Sequence, residues 1–190
     1  MKGYISGMFG FVKNLSLTER ALGLSFAASG AMLAGAHLFE KVGGLVPCIL
    51  CLDQREAHWT ALGLAAAGIA ASRLFKSKLA AAAAVGAAAL VYAVSSGLAF
   101  YHTGVEYGYW PGPAICSGGG GLGDIDINNL GASLTEKTDA PSCEDVQWRF
   151  LGISMAGYNL LASAGLFALT LFAAFTETRA ARLVRRTASA

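Results

Sequence analysis

Long uncharged, apolar stretches alternate with short polar breaks along this chain. Ala21 to Phe39 contains no Asp, Glu, Lys or Arg, and neither does Leu79 to Tyr101 or Phe150 to Thr176. A helix needs about 20 apolar residues to cross a bilayer core, and each of these runs meets that length. A fourth run, Ala57 to Ser72, covers only 16 residues, roughly 24 Å of helix. It spans only if its helix begins earlier, near residue 50. The pattern predicts an all-α integral membrane protein, a four-transmembrane-helix bundle forming a single membrane domain over residues 1–190. The expected spans are about 21–39, 50–72, 79–101 and 150–176, with outward loops at about 40–49 and 102–149.

Small residues recur at four-residue spacing, as Ala27, Ala31 and Gly35 in the first span and Gly63, Ala67 and Ala71 in the second. Such stripes let helices approach closely in lipid, where apolar burial gives little drive for association. Tyr92, Tyr101, Tyr107, Tyr109, Trp110 and Trp148 cluster mostly near the outer ends of the third and fourth spans, as an aromatic belt would. Within the long loop, Ser117 to Gly123 is too glycine-rich to hold one conformation cheaply. Asp124 to Leu134 has the spacing of a short helix lying on the membrane.

The chain is 55% hydrophobic and 14% charged, less charge than a soluble domain of this length carries. Its basic residues orient it. Lys2, Lys13 and Arg20, then Arg73, Lys76 and Lys78, then Arg179, Arg182, Arg185 and Arg186 all fall on one side of a four-span topology. That side is expected to be the cytoplasm, with both termini there. Residues 102–149 hold seven acidic residues against Lys137 and Arg149. The net charge of +2 is spread over topogenic segments and points to no nucleic acid. Ala34-Gly35-Ala36 offers a small-residue cleavage site, but the uncharged run exceeds a signal-peptide core, so a retained anchor is expected.

Under this topology all four cysteines face outward, where disulfides persist. Pro47-Cys48-Ile49-Leu50-Cys51 marks the start of the second span, and Arg55 follows one turn later. Proline suits the first helical position. A helix starting at Pro47 would put Cys48 and Cys51 among unpaired N–H groups at the positive end of the dipole, which lowers a thiol pKa. Spacing of three puts both sulfurs on one face, with Arg55 between them in angle. Glu56 raises the prospect of a local ion pair with Arg55. His102, at the end of the third span, is placed to bond a polar cofactor group or to face lipid headgroups. His37 and His58 read as interfacial or packing residues.

A Cys₄ zinc centre is the alternative, but Cys116 and Cys143 lie far apart, whereas structural zinc ligands come in closely spaced pairs. No metal is expected. A disulfide between adjacent turns closes too small a loop to stabilise a fold much, so an inert structural role suits Cys48 and Cys51 poorly. For Cys116 and Cys143 that role stays open.

Pro47-Cys48-x-x-Cys51 with Arg55, His102-Thr103, and Cys143-x-x-x-Gln147-Trp148-x-Phe150-Leu151-Gly152 with Met155 together resemble the DsbB family of bacterial disulfide-generating membrane proteins. The likeness runs over almost the whole chain. It implies an inner-membrane thiol oxidase, with its active cysteines in the periplasm, that reoxidises a DsbA-like thioredoxin-fold donor. Two electrons then pass to ubiquinone or menaquinone in the lipid. It also implies disulfides Cys48–Cys51 and Cys116–Cys143. Cys116 would meet the donor, Cys143 would exchange with Cys48, and Cys51 would engage the quinone beside Arg55 and His102. The glycine run after Cys116 departs from better-known members. A thiol oxidoreductase with a dedicated donor, or a non-catalytic Cys₄ membrane protein, is the alternative.

Overall fold

The computed structural model of the protein describes residues 15–113 and 141–188. Four helices account for most of them: α1 (Leu17–Lys41), α2 (Ile49–Arg73), α3 (Lys78–Glu106) and α4 (Met155–Ala188). Three, α1, α3 and the Met155–Glu177 part of α4, are long and apolar enough to cross a membrane. The second helix has 25 residues because it begins at Ile49, the early start that the 16-residue apolar run requires. It packs between α1 and α3, and α3 makes a long interface with α4.

Local chemistry sets the helix ends. Ser16 caps α1 in a capping box with Glu19. Glu19 also receives bonds from Ser72 and Arg73 at the end of α2, while Thr18 donates to Glu177 of α4. Polar contacts thus tie three helices together at the end expected to face the cytoplasm.

Close packing comes from small side chains, though not from the expected stripes. Ala27, Ala31, Gly63 and Ala67 all face outward. The buried contacts are Ala21, Leu22, Ala65, Ala81, Val85 and Ala173. Gly68 lets α2 approach its neighbours: a Cβ there would lie 2.8 Å from both Ala84 Cβ and Leu22 Cδ1. Alanine and glycine are so frequent here that a four-residue stripe arises on lipid-facing surfaces too. Tyr92 likewise leaves the aromatic belt; it is fully buried and bonded to Ser29.

At the opposite end two elements depart from the uncharged-run boundaries. The third helix continues past Tyr101 to Glu106, which puts His102 on the helix instead of at the start of a loop. Residues 149–154 form a small hairpin rather than opening the fourth span. Arg149 pairs with Ser154 and Phe150 with Ile153 across a turn in which Leu151 (φ 49°) and Gly152 (φ 81°) are both left-handed. Two left-handed central residues match the twist of a two-residue hairpin. Ser154 then caps α4 by accepting from the Gly157 N–H at 3.1 Å, and its hydroxyl donates to Glu106.

After α3 the chain folds back on itself. Trp110 donates to the Tyr101 carbonyl at 2.8 Å and stacks nearly parallel on the Tyr101 ring. Gly104 makes room for it: a Cβ at that position would lie 1.9 Å from the indole. Gly104→Ala is therefore expected to displace Trp110 and destabilise the fold by about 1–3 kcal/mol, the usual cost of overpacking. A lowered Tm in detergent with altered tryptophan fluorescence is the check; an unchanged Tm would contradict the close contact.

The expected surface helix at Asp124–Leu134, the glycine run and Cys116 lie outside the described residues.

Candidate active site

Cys48 is not inside the first turn of α2 but is its N-cap, with Ile49 as the first helical residue and Pro47 just outside. The register shifts because the sulfur itself serves as the cap: the Cys51 N–H donates to Cys48 Sγ at 3.3 Å. Both sulfurs nevertheless share one face, 2.9 Å apart, with the Cys48 thiol donating to Cys51. Both are free thiols, Cys48 buried and Cys51 half-exposed. Cys48 does not show the lowered pKa expected of a helix N-terminus. Its thiol is pushed up, first because its hydrogen is engaged by Cys51 and then by burial. The helix start favours charge on one sulfur of the pair, and the hydrogen bond leaves the proton with Cys48.

Arg55 lies on the same side as the sulfurs, one turn along, and is largely buried. Its ion-pair partner is Glu40, near the end of α1, rather than Glu56, which faces outward. A second bond reaches the Ala36 carbonyl at 3.4 Å. Fifteen residues of sequence separate Arg55 from Glu40, and the turn after α1 brings them together.

The third helix supplies His102, which is buried. Its Nε2 lies 3.6 Å from Cys48 Sγ and 3.9 Å from Glu106 Oε1. Its Nδ1 lies 2.9 Å from Gln54 Nε2. The position faces the sulfurs, not lipid headgroups. His58 is also more than a packing residue, being bonded to Ser29 and Asn159. His37 stays near the surface, 3.8 Å from Glu40.

Cys143 is brought to the same place. It is buried in one apolar cluster with Cys48, Leu50 and Val105, with Cys51, Tyr101 and Trp110 packed around it. It is held in a disulfide, and its backbone bonds the His102 ring. The segment carrying it is moored to the loop before α2 by Gln147, which donates to the Val46 carbonyl at 2.7 Å. Trp148 rests on Phe39 with ring centroids 5.1 Å apart. The described residues that come together as possible soft-metal ligands are Cys48, Cys51 and His102, their ligand atoms within 4.8 Å.

These groups open onto a cavity of about 380 Å³, within the range of small-molecule sites. Its walls are mostly apolar, with Met32, Leu33, Phe39 and Trp148 among them. Its polar lining includes Cys51, Arg55, His102, Glu106, Gln54 and Asn159, together with Glu40, His58, Asp145 and Gln147. The cysteine motif points to the first two, and the position at the end of the third span points to His102. No motif marks Gln54, Asn159, Glu106 or Glu40. The available signal is weaker: polar side chains inside or bordering apolar membrane runs are costly unless they have a role.

A dithiol with a neighbouring disulfide behind it and a mostly apolar cavity in front is equipped for thiol–disulfide exchange. Comparison with known proteins agrees: residues 18–173 match the family model described as "Disulfide bond formation protein DsbB". No curated protein and no solved structure matches the chain.

Proposed function

This chain belongs to the DsbB family of disulfide-bond-forming membrane oxidoreductases, and from that premise we propose that it reoxidises a DsbA-like periplasmic protein and delivers two electrons to a membrane quinone. The observation carrying this reading is the position of Cys48 and Cys51 between Cys143 and the cavity that Arg55 borders. This arrangement supports a path for electrons from Cys143 through Cys48 to Cys51.

In the proposed relay Cys116, outside the described residues, takes the donor's thiol as a mixed disulfide. The Cys143 thiolate so released attacks Cys48 of a Cys48–Cys51 disulfide, the oxidised form of the two thiols described above, forming a Cys143–Cys48 bond and expelling Cys51 as the thiolate facing the cavity. The place of Cys48 and Cys143 in one buried cluster supports that exchange. A quinone ring as acceptor is supported by the mostly apolar walls of the cavity and by Arg55, whose guanidinium offers N–H groups to ring oxygens, with His102 standing on the sulfur side. When bound, the quinone supplies a two-electron oxidant.

The energetics call for such an oxidant. A DsbA-type donor sits near −120 mV and ordinary structural disulfides below about −300 mV. Moving electrons backward over roughly 180 mV would cost about 8 kcal/mol for the pair. The relay's disulfides must therefore be unusually oxidising, or quinone reduction must draw the exchange forward.

The test is to mix the purified protein with a reduced thioredoxin-fold donor and follow quinone absorbance, with ubiquinone and menaquinone in separate runs. Donor-dependent reduction of either is expected, and its absence with both would sink the proposal. In the same assay Cys116→Ser is expected to block donor oxidation while Cys48 and Cys51 still oxidise a small dithiol. Equal loss of both activities would contradict the assigned order.

A further inference from the structure

The polar side chains buried in the bundle join into one run of hydrogen bonds, and its direction is fixed at Gln54. Gln54 Nε2 lies 3.0 Å from the Leu50 carbonyl oxygen and 2.9 Å from His102 Nδ1. A carbonyl oxygen can only accept, so the group facing it is the amide NH₂. His102 Nδ1 must then accept as well, and the ring carries its proton on Nε2. That N–H is shared between the Cys143 backbone carbonyl and Cys48 Sγ, which lies 3.6 Å away, and Cys48 in turn donates to Cys51.

Behind Gln54 the sense is the same. Its Oε1 accepts from Asn159 Nδ2, and Asn159 Oδ1 lies 2.8 Å from His58 Nε2. The other His58 nitrogen lies 3.1 Å from the Ser29 hydroxyl. With the Gln54 amide fixed, Asn159 must present its oxygen to His58, which therefore donates through Nε2 and accepts from Ser29. From Ser29 to Cys51 every link donates toward the dithiol. Aligned hydrogen bonds in a low-dielectric interior strengthen one another.

We propose that Gln54 is a positioning residue of the dithiol site: it fixes His102 as the Nε2–H tautomer and directs a one-way run of hydrogen bonds through Cys48 onto the Cys51 sulfur, with Asn159 and His58 holding Gln54 in that sense. The importance of Cys51 rests on the proposed function; the tautomer does not. In the overall step two thiols become a disulfide, and their two electrons and two protons leave with the quinone. His102 ends with the proton it began with, so it acts as a donor toward sulfur and not as a base.

The test uses the full chain in detergent, reduced, with ¹⁵N-labelled histidine, the His102 signals being assigned by their loss in His102→Phe. The wild type is expected to show His102 protonated at Nε2 and bare at Nδ1. Gln54→Glu offers Nδ1 an acceptor and is expected to move the proton there. Alkylation of Cys51 by a small uncharged reagent at pH 7 should then slow about tenfold, the size of one buried hydrogen bond. Gln54→Leu should slow it similarly, which separates loss of the directed bond from the added carboxylate charge. A wild-type ring protonated at Nδ1 would overturn the proposal, even if both variants failed to fold. So would an unchanged alkylation rate in a folded Gln54→Leu protein, since a merely structural glutamine moves neither readout. No donor protein or quinone enters these measurements, so failure of the relay in the quinone assay is read separately.

Discussion

Cys51→Ser is expected to abolish quinone reduction, a loss of at least about 10³-fold, because the variant lacks the nucleophile and removal of a nucleophile leaves only binding and polar stabilisation. The geometry singles out this sulfur of the pair. Cys51 is half-exposed and lines the cavity, whereas Cys48 is buried in the cluster that also holds Cys143. Cys51 also receives the Cys48 hydrogen, which places the electron-rich end of the pair on the cavity side. Serine keeps the size and the hydrogen bond, so the helix start should survive, but it can form no disulfide. The measurement is donor-dependent quinone absorbance beside a Tm comparison. Turnover within tenfold of wild type in a folded Cys51→Ser protein would remove Cys51 from the proposed role. Cys48→Ser should also stop turnover, yet leave Cys51 open to alkylation; protection of Cys51 in that variant would indicate that the cavity does not expose it as described.

Much of this site was legible in the sequence because its chemistry is local. Cys48, Cys51 and Arg55 lie within two helical turns, so spacing alone placed them on one side of a helix. The spans were legible from uncharged runs, and the short fourth run correctly demanded an earlier helix start. What escaped depends on contacts across the bundle. Gln54 meets Asn159 and His58 meets Ser29 through separations of 105 and 29 residues, and no periodicity within one helix reports such pairs. Polar residues in a membrane run signal that a partner exists without saying which. The 149–154 hairpin was hidden for another reason. Leu151 occupies a left-handed position usually filled by glycine or asparagine, so the uncharged run read straight through the turn. The small-residue stripes failed because their composition is common to every face of these helices, leaving only the bulky or polar neighbours, such as Leu22, Ser25 and Ser29, to distinguish the inner face.

Arg55→Ala is expected to raise the apparent KM for quinone about 10- to 100-fold while changing kcat less, the effect of losing one charged hydrogen bond worth about 1.5–3 kcal/mol. The ion pair with Glu40 does not by itself spend Arg55 on structure. The guanidinium has five N–H donors, and the contacts to Glu40 and Ala36 use two of them. Glu40 then serves to aim the group: it holds the head of a long side chain at the cavity wall, where an ordered cation loses less entropy on meeting an acceptor. This account separates two variants. Glu40→Gln removes the partner's charge but keeps an oxygen that accepts from Arg55, so its KM increase should be smaller than that of Arg55→Ala. Arg55→Lys keeps the charge but loses the planar fork that reaches Glu40 and the cavity at once, and should fall between wild type and Arg55→Ala. If Glu40→Gln matched or exceeded Arg55→Ala, the carboxylate itself would be the group that matters, and Arg55 would be its counterion. If Arg55→Ala left KM unchanged in a folded protein, the cation would have no part in holding the acceptor.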